Sequence, residues 1–149
     1  MKINKKFTVF VLVIVVVTMA YIAWQHAKQH QVFECRARLH SKTLEDKQET
    51  YSVFDVFLSM QGNGKGYWLI SGTSASSLSP KDWTEGIVYF TYKKEGGYFS
   101  IHMDKRNPIL MEMFDALTFD DLKLKITQIN TWSYNLSLPH GTLLICTED

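Results

Sequence analysis

The chain has 149 residues, 46% of them hydrophobic, with 16 basic and 15 acidic side chains; this leaves room for one membrane segment and one domain, and excludes a second domain. Lys2, Lys5 and Lys6 precede an apolar segment and every acidic residue follows it, so the remainder carries thirteen basic against fifteen acidic residues, a net of −2. A mildly acidic domain without a basic stripe argues against direct nucleic-acid binding.

Residues 1–6 are a short basic N-terminus. Residues 7–24, FTVFVLVIVVVTMAYIAW, carry no charge and are long enough to cross about 30 Å of hydrocarbon, which predicts a transmembrane helix. A cleaved signal peptide is the rival reading, but it needs a shorter apolar core and a small-x-small site, where this chain has Met19-Ala20-Tyr21-Ile22-Ala23-Trp24. Tyr21 and Trp24 fall where an interfacial aromatic belt would sit, and the absence of Cys at the end of the span removes any lipid attachment point. Basic residues ahead of the span place the N-terminus in the cytoplasm and export the rest. Residues 25–31, QHAKQHQ, extend the helix or link it to an exported domain at 32–149.

From Phe33 to His40 odd positions are apolar or Cys and even positions are charged or His, the period-2 pattern of a strand with one buried face. Cys35 lies on the inward face. Leu44 to Glu49 reads as a charged turn or loop. A second strand, about Tyr51 to Met60, is joined by Gly62-Asn63-Gly64-Lys65-Gly66 to a third at Tyr67–Thr73, making a hairpin. The Gly-Lys pair in that turn is no phosphate loop, because Lys65 is followed by Gly66 and a strand rather than Ser or Thr and a helix. Ser74 to Trp83 is a serine-rich surface loop with no partner pattern marking a nucleophile. Ile87–Tyr92 and Tyr98–Met103 form another hairpin around Lys93–Gly97. Pro108 opens a short helix at Ile109–Leu117 whose apolar face would plug a barrel or cover a sheet. Leu122–Ile129, Trp132–Ser137 and Thr142–Thr147 complete seven or so short strands. The fold class is therefore mainly β: an N-terminal transmembrane helix followed by a small antiparallel barrel or sandwich with one short helix.

Cys35 and Cys146 stand at the two ends of the exported part. In an oxidising compartment this placement reads as a disulfide joining the first and last strands, the alternative being two buried thiols that never meet. Closing a loop of 111 residues is worth up to about 4–5 kcal/mol in the chain-entropy view. Two Cys so far apart without a neighbouring His pair make a poor metal site. His26 and His30 have a helical i,i+4 spacing but no third ligand, and Glu45/Asp46 and Asp120/Asp121 adjoin in charged turns rather than converging in a cleft. No catalytic, cofactor-binding or metal residue is assigned. The aromatics Tyr51, Phe54, Phe57, Tyr67, Trp68, Tyr89, Phe90, Tyr92, Tyr98 and Phe99 fall on both faces of the predicted strands. Core packing accounts for most; an apolar lumen would take a small amphipathic ligand, and aromatics left outside would mark a protein–protein surface.

A basic start, one span ending in an aromatic, Phe33-Glu34-Cys35, Gly64-Lys65-Gly66-Tyr67-Trp68-Leu69-Ile70-Ser71-Gly72, Ile87-Val88-Tyr89-Phe90-Thr91-Tyr92 and Leu143-Leu144-Ile145-Cys146 together resemble the FidL-like family of enterobacterial inner-membrane proteins. The likeness covers nearly the whole chain, through structural motifs. Where that family often has a basic residue before the central strand, this chain has Glu85-Gly86. The resemblance implies a single-pass protein of the bacterial inner membrane with a periplasmic domain. It further implies a ToxS-like companion, not an enzyme, that binds and stabilises a ToxR-like membrane-spanning transcription regulator. Companions of that wider group have a lipocalin-like barrel, sometimes receptive to bile salts. No catalytic residue carries over, and the Cys35–Cys146 bridge would make the domain sensitive to redox state.

Overall fold

A computed structural model of the chain describes residues 4–29, 32–45, 47–76 and 82–148. They fall into two units, Met1–Gln31 and Val32–Asp149.

The first unit is a single helix, α1, Lys5–Gln29. Its 25 residues span about 37 Å at 1.5 Å per residue, and its most apolar stretch has a mean hydropathy of 2.5, so it is long and apolar enough to cross a membrane. Residues Gln25–Gln29 continue the helix rather than link it; His30 and Gln31 lie outside the described residues.

The second unit is a closed up-and-down barrel of eight antiparallel strands, which decides between the barrel and the sandwich. Its first four strands are β1 (Phe33–Glu45), β2 (Gln48–Met60), β3 (Lys65–Ser76) and β4 (Asp82–Glu95). The last four are β5 (Tyr98–Met103), β6 (Asp121–Gln128), β7 (Ser133–Leu138) and β8 (Gly141–Glu148). Each strand pairs with the next, and β8 returns to β1.

Register arranges the inward side chains of β1–β4 in rows. Ala37, Val56, Ile70 and Gly86 form one row; Leu39, Phe54, Gly72 and Thr84 form the next. Beyond it stand Ser41, Ser52, Ser74 and Asp82, so the apolar lining gives way to polar groups within one step. The core below that step contains Leu58, Trp68, Ile70, Val88, Phe90, Ile101, Leu124 and Leu136, each at most 2% exposed. Fully burying one such side chain is worth about 1.5–3 kcal/mol.

The segment between β5 and β6 closes this interior. Pro108 begins α2 (Pro108–Met113), and the Asn107 side chain caps it by accepting a hydrogen bond from the Ile109 N–H at 3.0 Å. Leu110 reaches Gly86 on β4, where a Cβ would stand 2.5 Å from its Cδ1; glycine is what lets the helix approach. The Phe114 ring packs 5.8 Å from Trp68 and 6.3 Å from Phe54, centroid to centroid. Phe114 is extended, so the predicted helix stops at Met113, and a 3-10 turn, Asp115–Thr118, buries Ala116 and Leu117.

Two predicted loops are shorter than expected. Leu44–Glu49 is largely strand, with β1 and β2 registered as far as Glu45↔Gln48. Ser74–Ser76 belongs to β3 and Asp82–Trp83 to β4, paired as Ser74↔Asp82 and Thr73↔Trp83, while residues 77–81 lie outside the described residues. In both places cross-strand pairing overrides a polar composition that on its own favours loop.

Candidate functional site

Cys35 and Cys146 are joined by a disulfide, with Cα atoms 5.5 Å apart and both residues 1% exposed. The bond crosses from β1 to β8, beside the register pairs Cys35↔Glu148 and Arg36↔Thr147. Among the described residues these two pairs are the registered ladder between the first and last strands.

The barrel sorts the aromatics by face. Phe54, Trp68 and Phe90 point inward and are buried, with Trp68 also 6.2 Å from Phe90. Tyr92 is partly buried, 5.8 Å from Phe99, and its hydroxyl accepts a hydrogen bond from the Gly62 N–H at 2.9 Å. Phe57, Tyr67 and Tyr89 face outward in a chain of ring contacts, Phe57–Tyr67 at 6.1 Å and Tyr67–Tyr89 at 6.3 Å. Register places Leu69 and Ile87 in the row beside them, with Phe57↔Leu69 and Leu69↔Ile87. Tyr89 is 58% exposed, Ile87 49% and Trp83 65%, so β2–β4 carry an apolar, aromatic outer face. Period 2 had predicted aromatics on both faces; which face closes around the core depends on barrel curvature.

The titratable groups sit apart as pairs at the surface. Asp55 accepts two hydrogen bonds from Arg38, 2.7 Å from Nε and 3.1 Å from Nη2. That contact holds the Asp55 carboxyl below, and the Arg38 guanidinium above, their ordinary ranges. Glu49 accepts from the Tyr51 hydroxyl at 2.7 Å and lies 3.0 Å from Lys42 Nζ, and both contacts hold its carboxyl below the usual range. His102 Nδ1 lies 2.7 Å from Asp121 Oδ1, a hydrogen bond that raises the imidazole's pKa. Asp120 accepts from Arg106. Asp121 is thus a histidine partner and Asp120 an arginine partner, not a carboxylate couple. Among the described residues no group of three or more His, Cys, Asp or Glu could hold a metal ion. The His26/His30 and Glu45/Asp46 pairs each include a residue outside those described.

Arg36, Arg38, His40 and Lys42 occupy successive outward positions of β1, facing Phe57, Asp55, Val53 and Tyr51 across β2. This is a local basic row, though the domain is net acidic. Asp55 and Glu49 on β2 pair with Arg38 and Lys42, and the Arg36 guanidinium lies 5.6 Å from the Phe57 ring centre.

A depression of about 290 Å3 lies beside β5 and β6, bordered by the exposed Phe119, Lys123 and His140. Gly86 serves packing through Leu110, and its neighbour Glu85 is exposed.

Comparison of the chain with known protein families, with curated proteins and with solved structures gives no match.

Proposed function

We propose that this protein is a membrane-anchored accessory factor, with its N-terminus in the cytoplasm and its barrel in the bacterial periplasm. On this reading the barrel binds and stabilises the periplasmic domain of a ToxR-like, membrane-spanning transcription regulator. The observation that carries the reading is the contrast between a packed interior and an apolar exterior: Trp68, Phe90 and Phe114 fill the barrel, while Tyr67, Ile87 and Tyr89 are turned outward on β3 and β4. Exposed aromatic faces of this kind serve protein contacts. The apolar helix α1 supports it further, since a tether beside a membrane partner raises the effective concentration of a weak contact. The resemblance to the FidL-like family supplies the partner class.

A small amphipathic ligand in the lumen is the weaker reading, because the interior positions it would need hold Trp68, Leu110, Phe114 and Leu117. The test is cross-linking of the tagged full-length protein in intact cells, followed by mass spectrometry of what co-purifies. Recovery of a membrane-spanning, DNA-binding protein is the expected result; recovery of nothing specific would overturn the accessory reading and turn the question to ligands.

A further inference from the structure

The two ends of the barrel differ in their connections. Phe33 begins β1, and the turns at that end join β2 to β3 (61–64), β4 to β5 (96–97) and β6 to β7 (129–132). The last of these is preformed: the Asn130 carboxamide oxygen accepts from the Trp132 and Ser133 N–H groups at 3.0 and 2.9 Å, and the Glu148 N–H donates to the Trp132 carbonyl at 2.9 Å. It holds Trp132 70% and Ile129 54% exposed, and Val32, on the chain entering β1, is exposed as well. The turn lies beside the start of β1, since Glu148 registers with Cys35 and the Phe33 ring packs 5.0 Å from Tyr134. Lys65, Lys93 and Lys94, all exposed, flank the neighbouring turns with a single carboxylate, Glu95, among them. Glu34 and Glu148 at the same end each accept a side-chain hydrogen bond, from Ser59 and Tyr134. The opposite end also exposes Ile109 and Phe119, but its connection 104–120 carries Asp104, Glu112, Asp115 and Asp120 against Lys105 and Arg106.

We propose that the Phe33 end of the barrel docks on an anionic bilayer surface, that of the membrane α1 enters, with Trp132 and Ile129 at the headgroup level and Lys65, Lys93 and Lys94 on lipid phosphates. Covalent reach favours this occupant: Gln29 ends α1 and Phe33 begins β1, so four Cα steps, at most about 14 Å of chain, tether this end and not the opposite one. Tryptophan, with an apolar body and one N–H donor, is a side chain favoured where hydrocarbon meets water. Lysines beside it gain from a negative surface potential, which the carboxylates of 104–120 at the other end would oppose. The proposal rests on α1 as a retained anchor; it does not rest on a regulator as partner.

The test uses the full-length protein with Trp24→Phe and Trp83→Phe, which leaves Trp132 and the buried Trp68. It is reconstituted in vesicles of phosphatidylcholine, with or without phosphatidylglycerol, that carry lipids brominated near the headgroup. In the anionic vesicles bromine should quench most of the Trp132 emission, read as the difference from the same protein with Trp132→Phe; in phosphatidylcholine alone quenching should be severalfold weaker. Ile129→Glu, or Lys93→Glu with Lys94→Glu, all at exposed positions, should lower the quenching severalfold at unchanged unfolding midpoints. Trp132 unquenched in anionic vesicles, equal quenching in both vesicles, or a cross-linker at residue 132 that captures a protein instead of lipid in cells would each overturn the proposal. Release of the protein from cell membranes by alkaline carbonate would overturn it by removing the anchor. Quenching in anionic vesicles with no regulator recovered from cells would uphold the docking and remove the accessory reading; a regulator recovered while Trp132 stays unquenched would do the reverse.

Discussion

The two halves of the barrel are built to different lengths. β1–β4 run for 12 to 14 residues, β5–β8 for 6 to 8. In the short half nearly every inward position serves the core: Phe99, Ile101 and Met103 on β5, Leu122, Leu124 and Ile126 on β6, Leu144 and Cys146 on β8. In the long half the apolar lining ends at the row of Leu39 and Phe54, and the strands continue through Ser41, Ser52 and Ser74. Burial of apolar surface thus accounts for the length of one half and only part of the other. The surplus of β1 and β2 runs on beyond the apolar lining, so the difference in length separates strands sized by the core from strands that outrun it.

The largest expected effect comes from the bond that joins the halves. Cys35→Ser or Cys146→Ser should lower stability by about 4 kcal/mol, the loop-closure value for 111 residues, in denaturant unfolding of the full-length protein. The two single variants should match each other and the reduced wild type; unchanged melting in both would show that the ladders alone hold the halves together. Next comes the contact between β4 and α2. Gly86→Val would drive a side chain into Leu110 and should cost about 1–3 kcal/mol, with partial recovery in Gly86→Val/Leu110→Ala. Absence of any recovery would locate the damage in the β4 backbone instead.

The smallest effect lies within the short half. The hydrogen bond to Asp121, and then its charge, raise the His102 pKa, so the folded state binds the proton more tightly than the unfolded chain. The resulting stability is fully present below the unfolded imidazole value of about 6.5 and is lost as pH rises through the higher folded value. Asp121→Asn should flatten unfolding midpoints across that window, and a slope that persists would assign the dependence to another group. The pair is exposed, so the change will be small.

Much of this fold is written in local pattern. The alternation of Phe33–His40, the Gly96-Gly97 turn between β4 and β5, and Pro108 at the start of α2 each specify their element through nearby residues. The rest depends on partners distant in the chain. Leu44–Glu49 reads as loop because charged residues flank the turn, yet pairing with Gln48–Met60 carries β1 to Glu45. Gly86 looks like a departure from a family pattern until Leu110 arrives against it. The alternation of charged residues in Phe33–His40 is visible locally, but where β8 ends its registered pairing with β1 is not something local periodicity encodes. The candidate surface is therefore less legible than the strands that form it.

The up-and-down order also has a consequence for assembly. Seven of the eight strand ladders join neighbours in the chain, and the β1–β8 seam alone joins its ends. Hairpins between neighbours close short loops at low entropic cost, whereas the seam must bring together residues 111 positions apart for a ladder of two pairs. Disulfide formation therefore reports completion: a meander whose ends have not met leaves two thiols free, and a thiol-reactive label distinguishes it from the closed barrel.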